Sequence, residues 1–163
     1  MIRSLLHLDF DAILEVINDA AQAYKGVIPD DRWKEPYMSA KELKGEIEAG
    51  VRFFGWVEGG HLLGVTGIQV IKDTTLIRHA YVLPECQRRG TGTELLEYLI
   101  SLAETSEILV GTWVDATWAI RFYQKHGFKL VSSGEKDRLL RTYWNIPERQ
   151  VETSVVLRII PFS

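Results

Sequence analysis

Residues 79–93 read HAYVLPECQRRGTGT, and this stretch decides the fold. An apolar segment that predicts a strand runs into a turn rich in arginine and glycine, and apolar residues at helical spacing follow. Gly90 and Gly92 carry no Cβ, so the backbone there can approach a ligand closely. The unpaired N–H groups at the start of the helix attract an anion, and Arg88 and Arg89 add positive charge. The stretch therefore predicts a pyrophosphate-binding turn between a strand and a helix.

This turn differs from the two commonest phosphate motifs. It lacks the Gly-x-x-x-x-Gly-Lys-Ser/Thr pattern of P-loop nucleotidases and the third glycine of the dinucleotide fingerprint. The phrase Gln-Arg-Arg-Gly-x-Gly at residues 87–92 instead resembles the GNAT family of N-acetyltransferases. Residues 119–128, AIRFYQKHGF, resemble the later motif of the same family, a helix that carries a tyrosine and ends in Gly-Phe. The resemblance covers most of residues 1–131 in element order.

The resemblance implies acetyl-CoA as co-substrate and no metal. It implies that the fourth strand splays from the fifth, so that its free edge pairs with the pantetheine amides. One N–H at that edge, that of Val82, would stabilise the oxyanion formed from the thioester. The residues implied to bind CoA are Ala80, Tyr81, Val82, Gln87, Arg88, Arg89, Gly90, Thr91, Gly92 and Thr93.

Tyr123 matches the tyrosine that the family places four residues before the closing glycine. The resemblance implies that its hydroxyl protonates the departing CoA sulfur as a general acid. The alternative is a tyrosine that only covers the edge of the core on an amphipathic helix.

The general base is left open between several candidates. Gly111 stands where protein-acetylating relatives carry a glutamate, twelve residues before the tyrosine, and Ala116 replaces an asparagine that often contacts CoA. Candidates for the base are His79, Glu85, Asp115 and a water relay. We select His79, because an imidazole titrates near neutral pH, although it could equally be a packed histidine of the fourth strand.

The acceptor pocket in this fold is usually built by the first two helices and their connecting loop. That loop, residues 24–38, is irregular and rich in aromatic residues. Aromatic faces attract cations, so the loop predicts an aromatic and acidic mouth for an amine, unless its aromatic residues only anchor it. The candidate substrate residues are Tyr24, Trp33 and Tyr37 with Asp30 and Asp31, together with Trp113 on the fifth strand.

Composition narrows the class of protein. The 163 residues fit one N-acetyltransferase domain over residues 1–163. A net charge of −3 argues against a general nucleic-acid binder. The one cysteine favours a reducing compartment, which we take to be the cytoplasm. We expect no signal peptide, and no apolar stretch approaches the roughly 18 residues of a membrane span.

The hydrophobic pattern predicts the order β-α-α-β-β-β-α-β-α-β-β. This is an α/β fold with a mixed, mostly antiparallel sheet, helices on both faces and a splayed fourth and fifth strand. Residues 135–150 read as an irregular polar and aromatic excursion. Residues 153–160 read as an apolar strand at the sheet edge, which predicts a homodimer that covers it; an internal position for this strand is the alternative.

The sequence thus predicts an N-acetyltransferase that moves the acetyl group of acetyl-CoA to a small primary amine by direct attack in a ternary complex. One alternative is an acyl-CoA-binding sensor with degenerate catalysis. The other is an acetyltransferase that acts on a protein N-terminus or lysine.

Overall fold

Seven strands form one sheet in the computed structural model, which describes residues 1–87 and 89–161. The strands are β1 (Ile2–Ser4), β2 (Arg52–Glu58), β3 (His61–Ile71), β4 (Thr74–Val82), β5 (Glu107–Trp113), β6 (Lys129–Leu130) and β7 (Ser154–Ile159). They lie side by side in the order β1-β2-β3-β4-β5-β7-β6. Every neighbouring pair is antiparallel except β4 and β5, which are parallel.

The described residues form six α-helices, which pack on this sheet. They are α1 (Phe10–Ala21), α2 (Ala40–Glu48), α3 (Thr91–Leu102), α4 (Thr117–Lys125), α5 (Ser133–Tyr143) and α6 (Glu148–Glu152). Helix α2 begins with a capping box, in which a serine is followed three residues later by a glutamate. The Ser39 hydroxyl accepts from the Glu42 N–H at 3.1 Å, and the Glu42 carboxylate accepts from the Ser39 N–H at 3.4 Å.

Both faces of the sheet are covered, because successive strand residues point to opposite sides. On β5, Ile108 and Val110 pack with α3 and α4, while Leu109 between them packs with α5 and α6. On β2, Phe54 joins the first cluster, and Phe53 joins the core beneath α1 and α2. The predicted fold class is confirmed.

Strands β4 and β5 separate half-way along their length. Their parallel ladder joins residues 74–77 to residues 107–110, and both strands then continue without pairing to one another. On its other side, β4 is bulged against β3, so that His79 and Ala80 lie opposite Thr66. His79 adopts a positive φ of 56° at this bulge. A gap therefore opens between β4 and β5, next to a strained residue.

Gly67 is the point on β3 where the bulged chain approaches most closely. A Cβ there would lie 2.8 Å from the Arg78 carbonyl oxygen and 2.9 Å from Val51. We expect Gly67→Ala to lower the free energy of unfolding by about 1–3 kcal/mol, because overpacking forces the backbone to move. Urea denaturation would measure this. Gly45→Ala is the control, since a Cβ on that exposed residue of α2 meets nothing within 4 Å. Equal stability of Gly67→Ala and the wild type would contradict the prediction.

Two sequence-based expectations about the C-terminal third are wrong. Residues 135–150 are largely helical, in α5 and α6, rather than irregular. Strand β7 is internal, with β5 on one side and β6 on the other, so it presents no uncovered edge. The homodimer prediction therefore loses its basis, which was an uncovered edge strand at residues 153–160. Strand β1 ends at Ser4, before a 3-10 turn at His7–Asp9. No helix in residues 1–87 or 89–161 is long and apolar enough to cross a bilayer.

Candidate active site

Two cavities meet in the gap between β4 and β5. The larger, about 370 Å³, lies against the glycine turn and is called the turn cavity. The smaller, about 140 Å³, lies between the loop of residues 24–38 and the α5–α6 connection and is called the aromatic cavity. Both are lined by the same five residues, which are Tyr24, Ile77, Ala80, Tyr81 and Tyr123. A group bound in one cavity is therefore next to a group bound in the other.

The turn cavity has the features expected of an anion site. Gly90 takes a positive φ of 82° just before α3, and within residues 1–87 and 89–161 no side chain caps the first turn of that helix. Gln87, Gly92 and Thr93 also line the cavity. A Cβ at Gly92 would meet only side-chain carbons of Val82 and Phe122, at 3.7 Å. The missing side chain thus leaves room for a ligand beside free helical N–H groups.

Two other residues predicted to bind CoA at the turn, Arg89 and Thr91, do not line the turn cavity. Thr91 is buried. Arg89 forms two hydrogen bonds, of 3.0 and 2.9 Å, with the Glu58 carboxylate at the end of β2. Hydrogen bonds from Trp56 and Arg89 hold the pKa of Glu58 below its usual range. Arg88 lies outside the described residues. The sequence reasoning missed Glu58, which is 31 positions from Arg89.

The free edge of β4 faces the gap. The Leu83 N–H donates to the Leu63 carbonyl on β3 at 2.9 Å. Because backbone groups alternate along a strand, the polar groups of Val82 point away from β3. The Gln87 side-chain amide donates to the Val82 carbonyl at 3.2 Å. Ala80, Tyr81 and Val82 all line the turn cavity, where the sequence places them.

Tyr123 lies on α4 where the two cavities join. Its ring is buried and packs edge-on against Phe122 and Phe128, with centroids 5.3 and 5.5 Å away. Burial, and secondarily the nearby Tyr24, raise the pKa of its hydroxyl well above the ordinary value. Burial likewise raises the pKa of Tyr24 to about 12. Tyr123 therefore stays protonated at neutral pH and can donate a proton.

His79 lines the aromatic cavity but not the turn cavity. Its ring lies nearly parallel to those of Phe53 and Tyr81, with centroids 6.3 and 6.5 Å away. Its Nε2 lies in contact with Oε2 of Glu46 on α2, a pair that is ionic when the imidazole is protonated, and Arg78 donates to Oε1 of that carboxylate at 2.8 Å. Burial opposes ionisation of Glu46, but these two neighbours together lower its pKa.

Glu46 is a residue that sequence reasoning missed. It lies 33 positions before His79, and α2 shows no motif at this residue. The other candidate bases are less well placed. Glu85 and Asp115 are exposed and line neither cavity.

The wall of the aromatic cavity opposite β4 comes from the segment that the sequence analysis read as irregular. Trp144, Ile146 and Gln150 line it. A Cβ at Gly111 would lie 3.5 Å from the Trp144 indole and 3.7 Å from Leu140. The position that carries a glutamate in protein-acetylating relatives is thus covered by a tryptophan here.

Only some of the predicted substrate residues line the aromatic cavity. Tyr24, Tyr37 and Trp113 line the aromatic cavity. Trp33 lines neither cavity and packs against Tyr37, with ring centroids 5.9 Å apart. The two acidic residues, Asp30 and Asp31, are exposed and also line neither cavity. Asp31 instead forms a 3.0 Å ion pair with Arg149 of α6, which ties the loop to that helix.

The comparisons with known proteins agree with this geometry. The model of the acetyltransferase (GNAT) family matches residues 11–128. The chain belongs to the GNAT family. It is similar to the peptidyl-lysine N-acetyltransferase YiaC of Escherichia coli strain K12, with 24% identity over 153 residues that cover 94% of this chain and 99% of that protein.

Solved GNAT structures share the fold. One is the PaiA N-acetyltransferase from Thermoplasma acidophilum in complex with coenzyme A, with a TM-score of 0.75, 19% identity and 98% of each chain covered. Another is the ribosomal-protein-S18-alanine N-acetyltransferase from Escherichia coli, with a TM-score of 0.70, 20% identity, and 98% of this chain and 92% of that chain covered. The family resemblance noted in the sequence is confirmed.

Proposed function

We propose that this GNAT acetyltransferase transfers the acetyl group of acetyl-CoA to a small primary amine by direct attack in a ternary complex. The observation that carries the proposal is the junction of two cavities at Ala80 and Tyr123, in the gap between β4 and β5. Two substrates held on either side of this junction would place their reacting groups together, which removes much of the entropic cost of the reaction.

The turn cavity fits the CoA end of the complex. The N–H groups at the start of α3, with Gly90 and Gly92, would hold the pyrophosphate. The free edge of β4 at Ala80–Val82 would pair with the pantetheine amides, as an added strand does. Acetyl-CoA supplies an acetyl group activated as a thioester. A solved structure of similar fold holds coenzyme A, which supports this assignment.

Three groups of this chain would act on the reacting atoms. The Val82 N–H donates to the thioester oxygen and stabilises negative charge as it forms there. Tyr123 donates its proton to the sulfur as the carbon–sulfur bond breaks. His79, on the amine side of the junction, takes a proton from the attacking nitrogen, whose lone pair forms the new bond.

The aromatic cavity favours an amine with an apolar or aromatic body. Tyr24, Tyr37, Tyr81, Trp113 and Trp144 line it, and in the described part of the chain no carboxylate does. An ammonium group would therefore be attracted by ring faces rather than by a carboxylate. Removal of its proton would be easier here than beside an anion, which would stabilise the charged form.

Acetylation of a protein lysine is the second candidate. It is favoured by the Escherichia coli relative, which is a peptidyl-lysine N-acetyltransferase. A role as an acyl-CoA sensor is less favoured, because Tyr123 lies buried at the junction. We keep the cytoplasm as the expected location, from the single cysteine. The homodimer remains a prediction without its edge-strand argument.

A thioester-consumption assay would test these candidates. Acetyl-CoA would be supplied with arylalkylamines, polyamines, free lysine and a lysine peptide, and products would be identified by mass spectrometry. We expect the highest kcat/KM with an arylalkylamine. A preference for the peptide would support the second candidate, and CoA binding without any amine-dependent turnover would support the sensor.

The pH profile of His79→Asn tests the base. Asparagine tolerates the positive φ at this position but is no base at neutral pH. A neutral imidazole is the active form, so the wild-type rate should rise with pH through the neutral range. We expect the variant to lose this rise and about 10²-fold in kcat/KM. His61→Ala, at the exposed start of β3, is the control. An unchanged profile in His79→Asn would leave a water relay as the alternative.

A further inference from the structure

The Glu46 carboxylate joins α2 to two consecutive residues of β4. One oxygen accepts from Arg78 at 2.8 Å, and the other lies in contact with His79 Nε2. The side chains of Glu46 and His79 are largely buried, at 22% and 15% exposed. A carboxylate at this depth interacts with an imidazole more strongly than one at the surface, because water screens it less.

We propose that Glu46 is the positioning residue of His79, which it holds with the proton on Nε2 and the lone pair on Nδ1. The proposal rests on the function proposed above, in which His79 receives the proton of the amine. An imidazole proton is fixed on the nitrogen that donates to a partner, so the other nitrogen is left as the acceptor. His79 lines the aromatic cavity, on the amine side of the junction, so Nδ1 is the nitrogen left to accept the proton of the amine.

The backbone supports this assignment independently. The bulge that sets His79 and Ala80 against Thr66 breaks the alternation of β4, and bulges of this kind re-aim a side chain. His79 also holds a φ of 56°, a conformation that costs free energy and persists only where the surroundings impose it. The nearly parallel rings of Phe53 and Tyr81 restrain the plane of the imidazole, and the contact with Glu46 restrains its rotation within that plane.

The charges around His79 determine whether loss of the Glu46 charge makes the imidazole easier or harder to protonate. Helix α2 supplies Glu46 and, one turn earlier, Glu42, which is bound to Lys34. Strand β4 supplies Arg78, which also donates to Gln69 of β3 at 3.0 Å. The remaining ring neighbours are the uncharged Tyr81 on β4 and Phe53 on β2, and the loop contributes Tyr37, which contacts Tyr81. Loss of the Glu46 charge would leave Arg78 as the nearest charge, so the imidazole would become harder to protonate.

A purely structural role is the competing explanation. Glu46 would then only clamp α2 to the sheet, and its loss would lower stability without moving the titration of His79. Glu46→Gln separates the two roles, because it keeps the size of the side chain and removes its charge. Glu46→Asp keeps the charge, and Glu42→Gln is the matched control, one turn away on the same helix.

The first measurement is NMR of the imidazole nitrogens in the full chain, labelled with 15N. His79 is assigned by its absence from His79→Asn. We expect Nε2–H in the wild type, and a titration midpoint that falls in Glu46→Gln, since an adjacent opposite charge favours the charged imidazole. Glu46→Asp should restore most of the shift, and Glu42→Gln should show none. A proton on Nδ1, or an unmoved midpoint in Glu46→Gln, would overturn the proposal.

The second measurement is the pH profile of kcat with an amine that is turned over. The rise with pH should move to lower pH in Glu46→Gln, with a roughly tenfold lower plateau, because a weaker base accepts the proton less readily. KM for acetyl-CoA should stay unchanged. A wild type that binds CoA but acetylates no amine would reject the proposed function, whereas the NMR titration would still decide the position of the Nε2 proton.

Discussion

Replacing Tyr123 with phenylalanine is expected to lower kcat by about 10²–10⁴-fold, the usual contribution of a general acid. The variant loses only a hydroxyl at the junction of the two cavities and keeps the ring that packs against Phe122 and Phe128. Without that proton, the sulfur must leave as a thiolate in a site from which water is partly excluded. Binding of CoA should change little, because the turn cavity keeps its shape.

Steady-state kinetics and CoA titration would separate these two effects. Tyr98→Phe is the matched control, since Tyr98 lies on α3, packs against Phe54 of β2 and lines neither cavity. Because burial raises the pKa of Tyr123, its proton should not be lost below about pH 10, and the wild type should show no alkaline loss of rate from this group. A kcat in Tyr123→Phe equal to that of the wild type would mean that Tyr123 serves only in packing.

The parts of the site that the sequence predicts are those built from neighbouring residues. The glycine turn, the edge of β4 and Tyr123 each lie within a short motif whose residues determine their own local geometry. The helix that follows Gly90 is predicted for the same reason, by apolar spacing. These elements carry the proposed CoA-binding half of the site.

The parts that the sequence does not predict depend on distant contacts. Glu46 reaches His79 only because the tertiary fold brings this side chain of α2 to residues 78 and 79 of β4. Strand β7 reads as an edge strand, and only its pairing with both β5 and β6 shows that it is internal. Strand order in a sheet depends on such long-range pairing, which leaves no mark on the local apolar pattern.

The sequence contains a weak signal for helix α5. Its apolar stripe is short, and Leu139 and Leu140 supply most of its buried face. Even Lys136 is buried there, where its ammonium donates to the Val151 carbonyl at 2.8 Å. The Ser132 hydroxyl accepts from the Glu135 N–H at 3.3 Å, so a serine followed three residues later by glutamate marks the start of the helix.

This missed segment also changes how the absence of a glutamate on β5 is understood. Gly111 is not simply a position without a glutamate, because Trp144 covers it and forms part of the wall of the aromatic cavity. The side of the cavity that a β5 glutamate would occupy is aromatic. On the β4 side, the His79 imidazole contacts the Glu46 carboxylate, and this is the one such pair beside the cavity in the described residues. The proposed base, His79, therefore lies on β4, whereas the glutamate of protein-acetylating relatives corresponds to Gly111 on β5.

Gly92→Val is expected to abolish the binding of CoA while the protein remains folded. A Cβ at Gly92 would meet Val82 and Phe122 only at ordinary contact distance, so the fold can accept a larger side chain. The added methyl groups would instead occupy the turn cavity beside the first N–H groups of α3, where a pyrophosphate must approach. The variant thus distinguishes a ligand site from a structural turn.

Thermal melting with increasing CoA would measure this loss. At a concentration about 100 times its Kd, a ligand stabilises the native state by about 2.7 kcal/mol. For a chain of this size, that corresponds to a rise in Tm of roughly 5–10 °C. The wild type should show this rise with CoA but much less with NAD or ATP, and Gly92→Val should show almost none. Gly134→Val is the matched control, because Gly134 is likewise the second residue of a helix and a Cβ there meets nothing within 4 Å. If Gly92→Val kept the full rise in Tm, the pyrophosphate would have to bind elsewhere, because a β-branched side chain and the anion cannot share the start of α3.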